Sequence, residues 1–263
     1  MAKHYIEEFM TRKNKVTSIF YPILAFALWG TLFVASGYTA NYLSVSTIGF
    51  FRFGIAIIPL YIVLKKHPSV HIDKKDYKYF FFIGLLGYFF NINFNTAGIK
   101  YAGASLSALV TMLNPFLISL LAAVILKEKL TKRKIVCLIM TVCGVYIVLL
   151  GNAAAGKLVG VLMVLLSVIN WSVASILMRK MTAKYDSLVV TCYSMIISMC
   201  FHIPAFIIDQ VMFSSFHLSW QTVLSLLYMG LVCTGLAMLL WNKSLAENDA
   251  STCSLFFPIQ DIS

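Results

Sequence analysis

Eight apolar runs, each long enough to cross a lipid bilayer as a helix, take up most of this sequence. A helix spans the hydrocarbon core with about 20 residues, in a range of about 17–25. Between charged or turn-rich breaks, the runs are 18–37, 45–64, 79–97, 102–126, 135–151, 158–178, 188–208 and 221–241. A ninth begins near Ala250 and runs 14 residues to Ser263. That is about 20 Å of helix against a core of about 30 Å, so the ninth span is expected to be cut short.

Lipid as the solvent also explains the composition. The chain is 60% hydrophobic and 12% charged, where a soluble domain carries about 25% charged residues. Its net charge of +11 would suit a nucleic-acid partner only if it lay along one face. Instead the basic residues come in bursts between apolar runs, as membrane loops do. Nucleic acid is therefore not an expected partner, and the lipid bilayer is. The basic start imitates a signal peptide, but the many later spans make the first run a retained helix.

Lys and Arg accumulate in cytoplasmic loops. With the amino terminus inside, 18 of the 21 basic residues fall in inside segments. Those segments centre on Lys13, on Lys65 to Lys78, on Lys127 to Lys134, on Arg179 to Lys184, and on Lys243. Only Lys100 and Lys157 fall outside, and Arg52 lies within a span. A miscounted helix would scramble this segregation.

The runs also repeat. Trp29 and Trp171 are 142 positions apart, and Phe51 and Tyr193 keep that offset. Gly84-Leu85 matches Gly230-Leu231, and Ala104-Ser105 matches Ala250-Ser251, at an offset of 146. A four-residue insertion in one loop reconciles the registers. A unit of five spans is odd, so the second copy enters the membrane upside down, as in many secondary transporters. The expected fold is an all-α integral membrane bundle of two inverted five-helix repeats, with ten spans expected and about nine present. Residues 1–17 form a cytoplasmic segment, 18–151 the first repeat, and 152–263 a second repeat lacking its last helix.

In order and spacing, several short pieces resemble the EamA-type transporters of the drug/metabolite transporter superfamily. They are Ala27-Leu28-Trp29-Gly30, Phe51-Arg52-Phe53, Ala104 to Leu109, and Leu113-Asn114-Pro115. Leu126-Lys127-Glu128-Lys129-Leu130-Thr131 resembles that family's Leu-Gly-Glu-x-Leu-Thr ending, with Lys127 in place of glycine. Ala250-Ser251 through Gln260 repeats the fourth-span theme, with Asp261 where proline is usual. The resemblance implies two five-helix repeats and export of small organic metabolites, such as amino acids or nucleosides, or of toxic compounds.

Several polar groups sit inside spans. Arg52 lies about 10 Å into the second, where an unpaired cation costs at least about 2.5–3.5 kcal/mol. It reads either as a counter-charge for an anionic substrate or as a structural anchor. Gly84, Gly87, Tyr88, Asn91, Asn95 and Gly98 form a helical stripe in the third span. Tyr88, Asn91 and Asn95 could line a cavity or hydrogen-bond between helices. Asn114-Pro115 interrupts the fourth span, as a gating hinge or a static kink. Ser167, Asn170 and Ala174 share a face of the sixth span beside Trp171; Thr191, Ser194, Ser198 and His202 form a stripe on the seventh. Trp29 and Trp171, at equivalent positions, would flank a substrate. His202 is the clear mid-span group that titrates near neutral pH.

Other chemistry lacks its signature. None of the six cysteines shows C-x-x-C spacing, so no zinc or redox site is expected. No P-loop, H-E-x-x-H or G-x-S-x-G run occurs. Neither a cofactor nor a metal is expected, and an intramembrane enzyme ranks last. Gly156 and Gly160 form a lone G-x-x-x-G, a sign of close helix packing. The leading expectation is a small-molecule transporter working by alternating access; the alternative is a non-transporting membrane fragment or partner-dependent subunit. Oligomeric state is not legible.

Overall fold

The computed structural model describes residues 2–66, 71–128, 155–213 and 219–261, with scattered positions between 132 and 144. Among the described residues, seven helices are long and apolar enough to cross a membrane. They are α1 (Ala2–Thr39, apolar from Ile19), α2 (Val45–Lys66), α3 (Lys74–Ala102) and α4 (Ala104–Ile125). After them come α5 (Ala155–Thr182), α6 (Ser187–Phe213) and α7 (Trp220–Glu247). These match the first four and the sixth to eighth expected spans. The expected fifth span, 135–151, lies outside the described residues apart from isolated positions. The ninth run contributes a short helix, α8 (Ala250–Ser254), and a 3-10 turn at Phe257–Asp261.

The distribution of side chains is that of a lipid-embedded protein. Val34 and Val211 are 74% and 77% exposed, while Ser194, Ser198 and His202 are fully buried. An aqueous fold would invert this; facing acyl chains, exposed Val and Ile are at rest and hydroxyls seek the interior.

Two polar clusters tie the ends of these helices together. At one face, Ser44 and Thr47 bond Asp209, and Gln210 donates to Thr47 at 3.0 Å. At the other, Lys184 pairs with Asp73 and with Asp76 at 2.5 Å, and Tyr185 donates to Asp76 at 2.7 Å. In each cluster, the joined segments are ones that charge counting assigns to the same side of the membrane. The hydrogen bond and charge of Lys184 hold the Asp73 carboxyl below the usual carboxylate range. The bonds to Asp73 and Asp76 in turn raise the Lys184 ammonium.

The interior is built on glycine notches. A β-carbon on Gly98 would lie 2.3 Å from Val164, and one on Gly160 would lie 2.5 Å from the Ala102 nitrogen. So α3 and α5 touch backbone to backbone, and Gly160 of the G-x-x-x-G is half of that contact. Two further notches form a pair. Gly84 on α3 meets the Ser194 carbonyl and Ile197 on α6; Gly230 on α7 meets the Arg52 carbonyl and Ile55 on α2. Ser194 and Ile197 follow Arg52 and Ile55 by 142 residues, and Gly230 follows Gly84 by 146.

The backbone repeats in the same register. Both α3 and α7 widen into a π-helical segment, at Ile83–Phe90 and Met229–Leu236. These segments too are 146 residues apart.

Where the fourth span was expected to be interrupted, α4 breaks at Met112–Leu113 and restarts at Asn114, with Pro115 in its first turn. Proline is tolerated there because its missing N–H has no helical partner at that position. Gly103 joins α3 to α4 at φ 89, a conformation that side chains disfavour. Lys127, at φ 58, is the non-glycine residue with positive φ among the described residues. The expected glycine position therefore does need a left-handed backbone.

Candidate functional site

Trp29 sits ten residues from either end of the Ile19–Thr39 span, at mid-membrane depth. Beside it opens a cavity of about 460 Å³, its mouth included. From α1, α3 and α4 it is lined by Trp29, Asn91, Asn95, Thr111 and Asn114. From α5, α7 and the final turn come Ser167, Trp171, Met238, Phe257 and Gln260. Both repeat units thus contribute, and no Lys, Arg, Asp or Glu is among the lining residues.

The two tryptophans meet edge to face, centroids 5.4 Å apart at 86°. Trp241 lies 6.0 Å from each of them. Phe26 packs on Trp29, Trp241 and Phe257 at 5.4, 5.5 and 4.3 Å. Trp241 is six residues from the Glu247 end of α7, near the face that carries Lys243. This aromatic layer therefore closes the cavity toward the side with the basic loops.

Each polar lining residue is oriented by a specific bond. Asn91 gives both amide hydrogens to Ser167 on α5, to its carbonyl at 3.0 Å and its hydroxyl at 2.8 Å. The same Asn91 side chain therefore both bonds α5 and borders the cavity. Asn114 donates to the Thr111 carbonyl at 2.9 Å, which leaves its Oδ1 buried without a partner. Trp29 Nε1 donates to the Cys233 carbonyl at 2.9 Å, whereas Trp171 Nε1 is buried and unpartnered.

Four residues singled out in the sequence lie elsewhere. Arg52 is buried between α2 and α7, where its Nε donates to Thr234 at 3.1 Å and its Nη2 has no partner. Tyr88 is wholly buried and accepts from Asn242, which also donates to Thr191. His202 stacks on Phe53, and its Nε2 lies 3.4 Å from the Tyr88 carbonyl in the π segment. Asn170 bonds back to the Leu166 carbonyl of its own helix. The structure thus brings together Trp29, Asn91, Asn95, Asn114 and Trp171, and sets Arg52, Tyr88 and His202 in a second polar layer behind them.

Sequence reasoning missed Trp241, Phe26 and Thr111 as neighbours of the site. Trp241 carried one usable signal: at the offset of 146 it is the counterpart of Asn95. It also missed the role of Glu128, which accepts from the Ala250 and Ser251 amides at 3.0 and 3.1 Å and from the Ser251 hydroxyl at 2.8 Å. That carboxylate satisfies orphan donors at the start of α8 and seats the Phe257 turn against the cavity.

Known proteins share this pattern. The sequence pattern of the EamA-like transporter family matches residues 16–150 and 158–262. The uncharacterized transporter YyaM of Bacillus subtilis is 27% identical over 252 residues, 92% of this chain and 82% of its own length. An uncharacterized transporter of Archaeoglobus fulgidus is 26% identical over 235 residues, 89% of this chain and 82% of its own. A solved crystal structure superposes with a TM-score of 0.73 at 20% identity, over 93% of this chain and 85% of that one.

Proposed function

The chain belongs to the EamA-like transporter family, and we propose that it carries small organic metabolites across the cell membrane by alternating access at the Trp29–Trp171 cavity. As a multi-pass transporter of that family it is not an enzyme. Export is the direction that the family resemblance implies, and the positive-inside rule puts the amino terminus in the cytoplasm.

The observation that carries the reading is a midplane cavity walled by both sequence units and centred on two tryptophans at equivalent positions. The units are two inverted repeats, 18–151 and 152–263. The matched notches at Gly84 and Gly230 and the matched π segments support this division. Inverted repeats alternate when each adopts the other's conformation around a shared site.

The equivalent helices α2 and α6 are joined at one membrane face by Thr47–Gln210. At the other, the Asp73, Asp76 and Lys184 cluster ties the α2–α3 connection and the start of α3 to the α5–α6 connection. Helices α2 and α6 form the stationary spine. The pair α3–α5, fused at Gly98 and Gly160, moves against α1 and α7. In the present state the aromatic layer of Phe26, Trp241 and Phe257 shuts the inner side.

Purified protein in liposomes should exchange labelled amino acids or nucleosides across the membrane. Asn95→Cys should react with a membrane-impermeant thiol reagent from outside, and Met238→Cys from inside once the state changes. A protein in which neither cysteine reacts from any side, under any substrate, does not alternate at this cavity.

A further inference from the structure

The polar atoms that the cavity leaves unused define what can fill it. Asn91 spends both amide hydrogens on Ser167. Turning the amide over would set its oxygen against the Ser167 carbonyl, so the oxygen is the group that Asn91 offers to a ligand. Asn114 is fixed in the same way by the Thr111 carbonyl and leaves its buried Oδ1 unpaired. The Trp29 indole N–H is occupied by the Cys233 carbonyl, while that of Trp171 is buried and free. The oriented and unused groups of the wall are therefore two amide oxygens and one indole N–H, and Asn95 adds a further amide that can both donate and accept.

The wall presents no charge. An ion entering from water would shed its hydration with no counter-ion among the lining residues. The Arg52 guanidinium, the buried cation of this region, bonds Thr234 and is not in the wall. Shape narrows the choice again. The perpendicular faces of Trp29 and Trp171 make a corner in which a flat ring stacks on one indole and meets the other edge-on.

Resting on the transport reading above, we propose that the substrate is an uncharged planar heterocycle carrying an amino group beside a ring acceptor. The amino hydrogens bond the Asn91 and Asn114 oxygens, and the ring acceptor takes the Trp171 N–H. A planar anion without N–H groups lacks the donors as well as a counter-charge, and a planar cation without a ring acceptor lacks a counter-charge and an acceptor for Trp171.

Binding of labelled cytosine and adenine to the detergent-solubilised chain tests this, with benzoate and N-methylpyridinium as planar ions of either sign. Cytosine or adenine should bind at least tenfold more tightly than both ions. Asn114→Leu should weaken that binding more than tenfold, and Trp171→Phe, which keeps an aromatic face, should weaken it measurably as well. If either ion binds as tightly as the heterocycles, or if Trp171→Phe and Asn114→Leu both retain full affinity, the assignment is wrong. If the Asn95→Cys label reports alternation while the chain with its native Asn95 binds neither heterocycle, the ligand assignment alone is overturned. Loss of alternation overturns the transport reading itself.

Discussion

Trp29 and Trp171 occupy the same position in the two repeat units and touch edge to face at 5.4 Å, yet only Trp29 spends its indole N–H, on the Cys233 carbonyl. Phenylalanine removes the same volume from both sites, so the difference between the two variants isolates that hydrogen bond. Trp29→Phe removes a bond to a buried carbonyl and should cost about 0.5–1.5 kcal/mol more than Trp171→Phe. Thermal unfolding in detergent measures it; equal losses would mean that the bond contributes nothing.

Lys127 is held at φ 58 where α4 ends, just before Glu128 caps α8. A side chain in the left-handed region costs about 1–2 kcal/mol, partly offset by the greater freedom of glycine in the unfolded chain. Lys127→Gly should therefore raise stability by about 0.5–1 kcal/mol, read as a higher melting temperature with transport unchanged. A lower one would show that the lysine side chain contributes more than its backbone costs.

A fixed α2–α6 spine makes a different forecast from a rocking of sequence halves. Cysteines replacing Thr47 and Gln210, whose side chains bond at 3.0 Å, can be joined by a short bifunctional thiol reagent. Transport should survive the cross-link within about twofold, because a spine needs no slack there. Abolished transport would put the moving boundary between α2 and α6.

The cluster at the opposite face should show as two pH limits. The Asp73 carboxyl is depressed in the folded chain, so its stabilisation is present above the ordinary carboxylate range and fades as pH falls through the folded value. The Lys184 ammonium is raised, so its share is present below the ordinary lysine range and fades as pH rises through the folded value. Between about pH 4 and pH 10 both charges persist. The melting-temperature difference between the native chain and Lys184→Met should be flat across that window and shrink at both ends. A difference that varies between pH 6 and pH 8 would point to another titrating group.

Much of this was written in the order of residues. Apolar length located seven described helices, because lipid leaves the backbone so few options. Asn91 and Asn95 stood out because an amide inside a membrane needs a partner, and Asn114 because Pro115 follows it; all three line the cavity. The same logic flagged Arg52, which lies behind that wall: insertion cost shows that a buried cation faces inward, and says nothing of which interior space it reaches. The aromatic layer went unread because Phe26, Trp241 and Phe257 resemble lipid-facing rings until the helices are assembled. The π segments left no trace in composition, since they change which carbonyl an amide chooses and not which residues are present.

The two glycine notches have a consequence for how the chain comes to rest. Gly84 receives a ridge from α6, and Gly230 receives one from α2. Each unit thus holds a socket for the other's plug. A ribosome that has released only α1–α4 into the bilayer has made a structure with an empty socket and an idle plug. Assembly is a handshake, completed only when the later helices arrive.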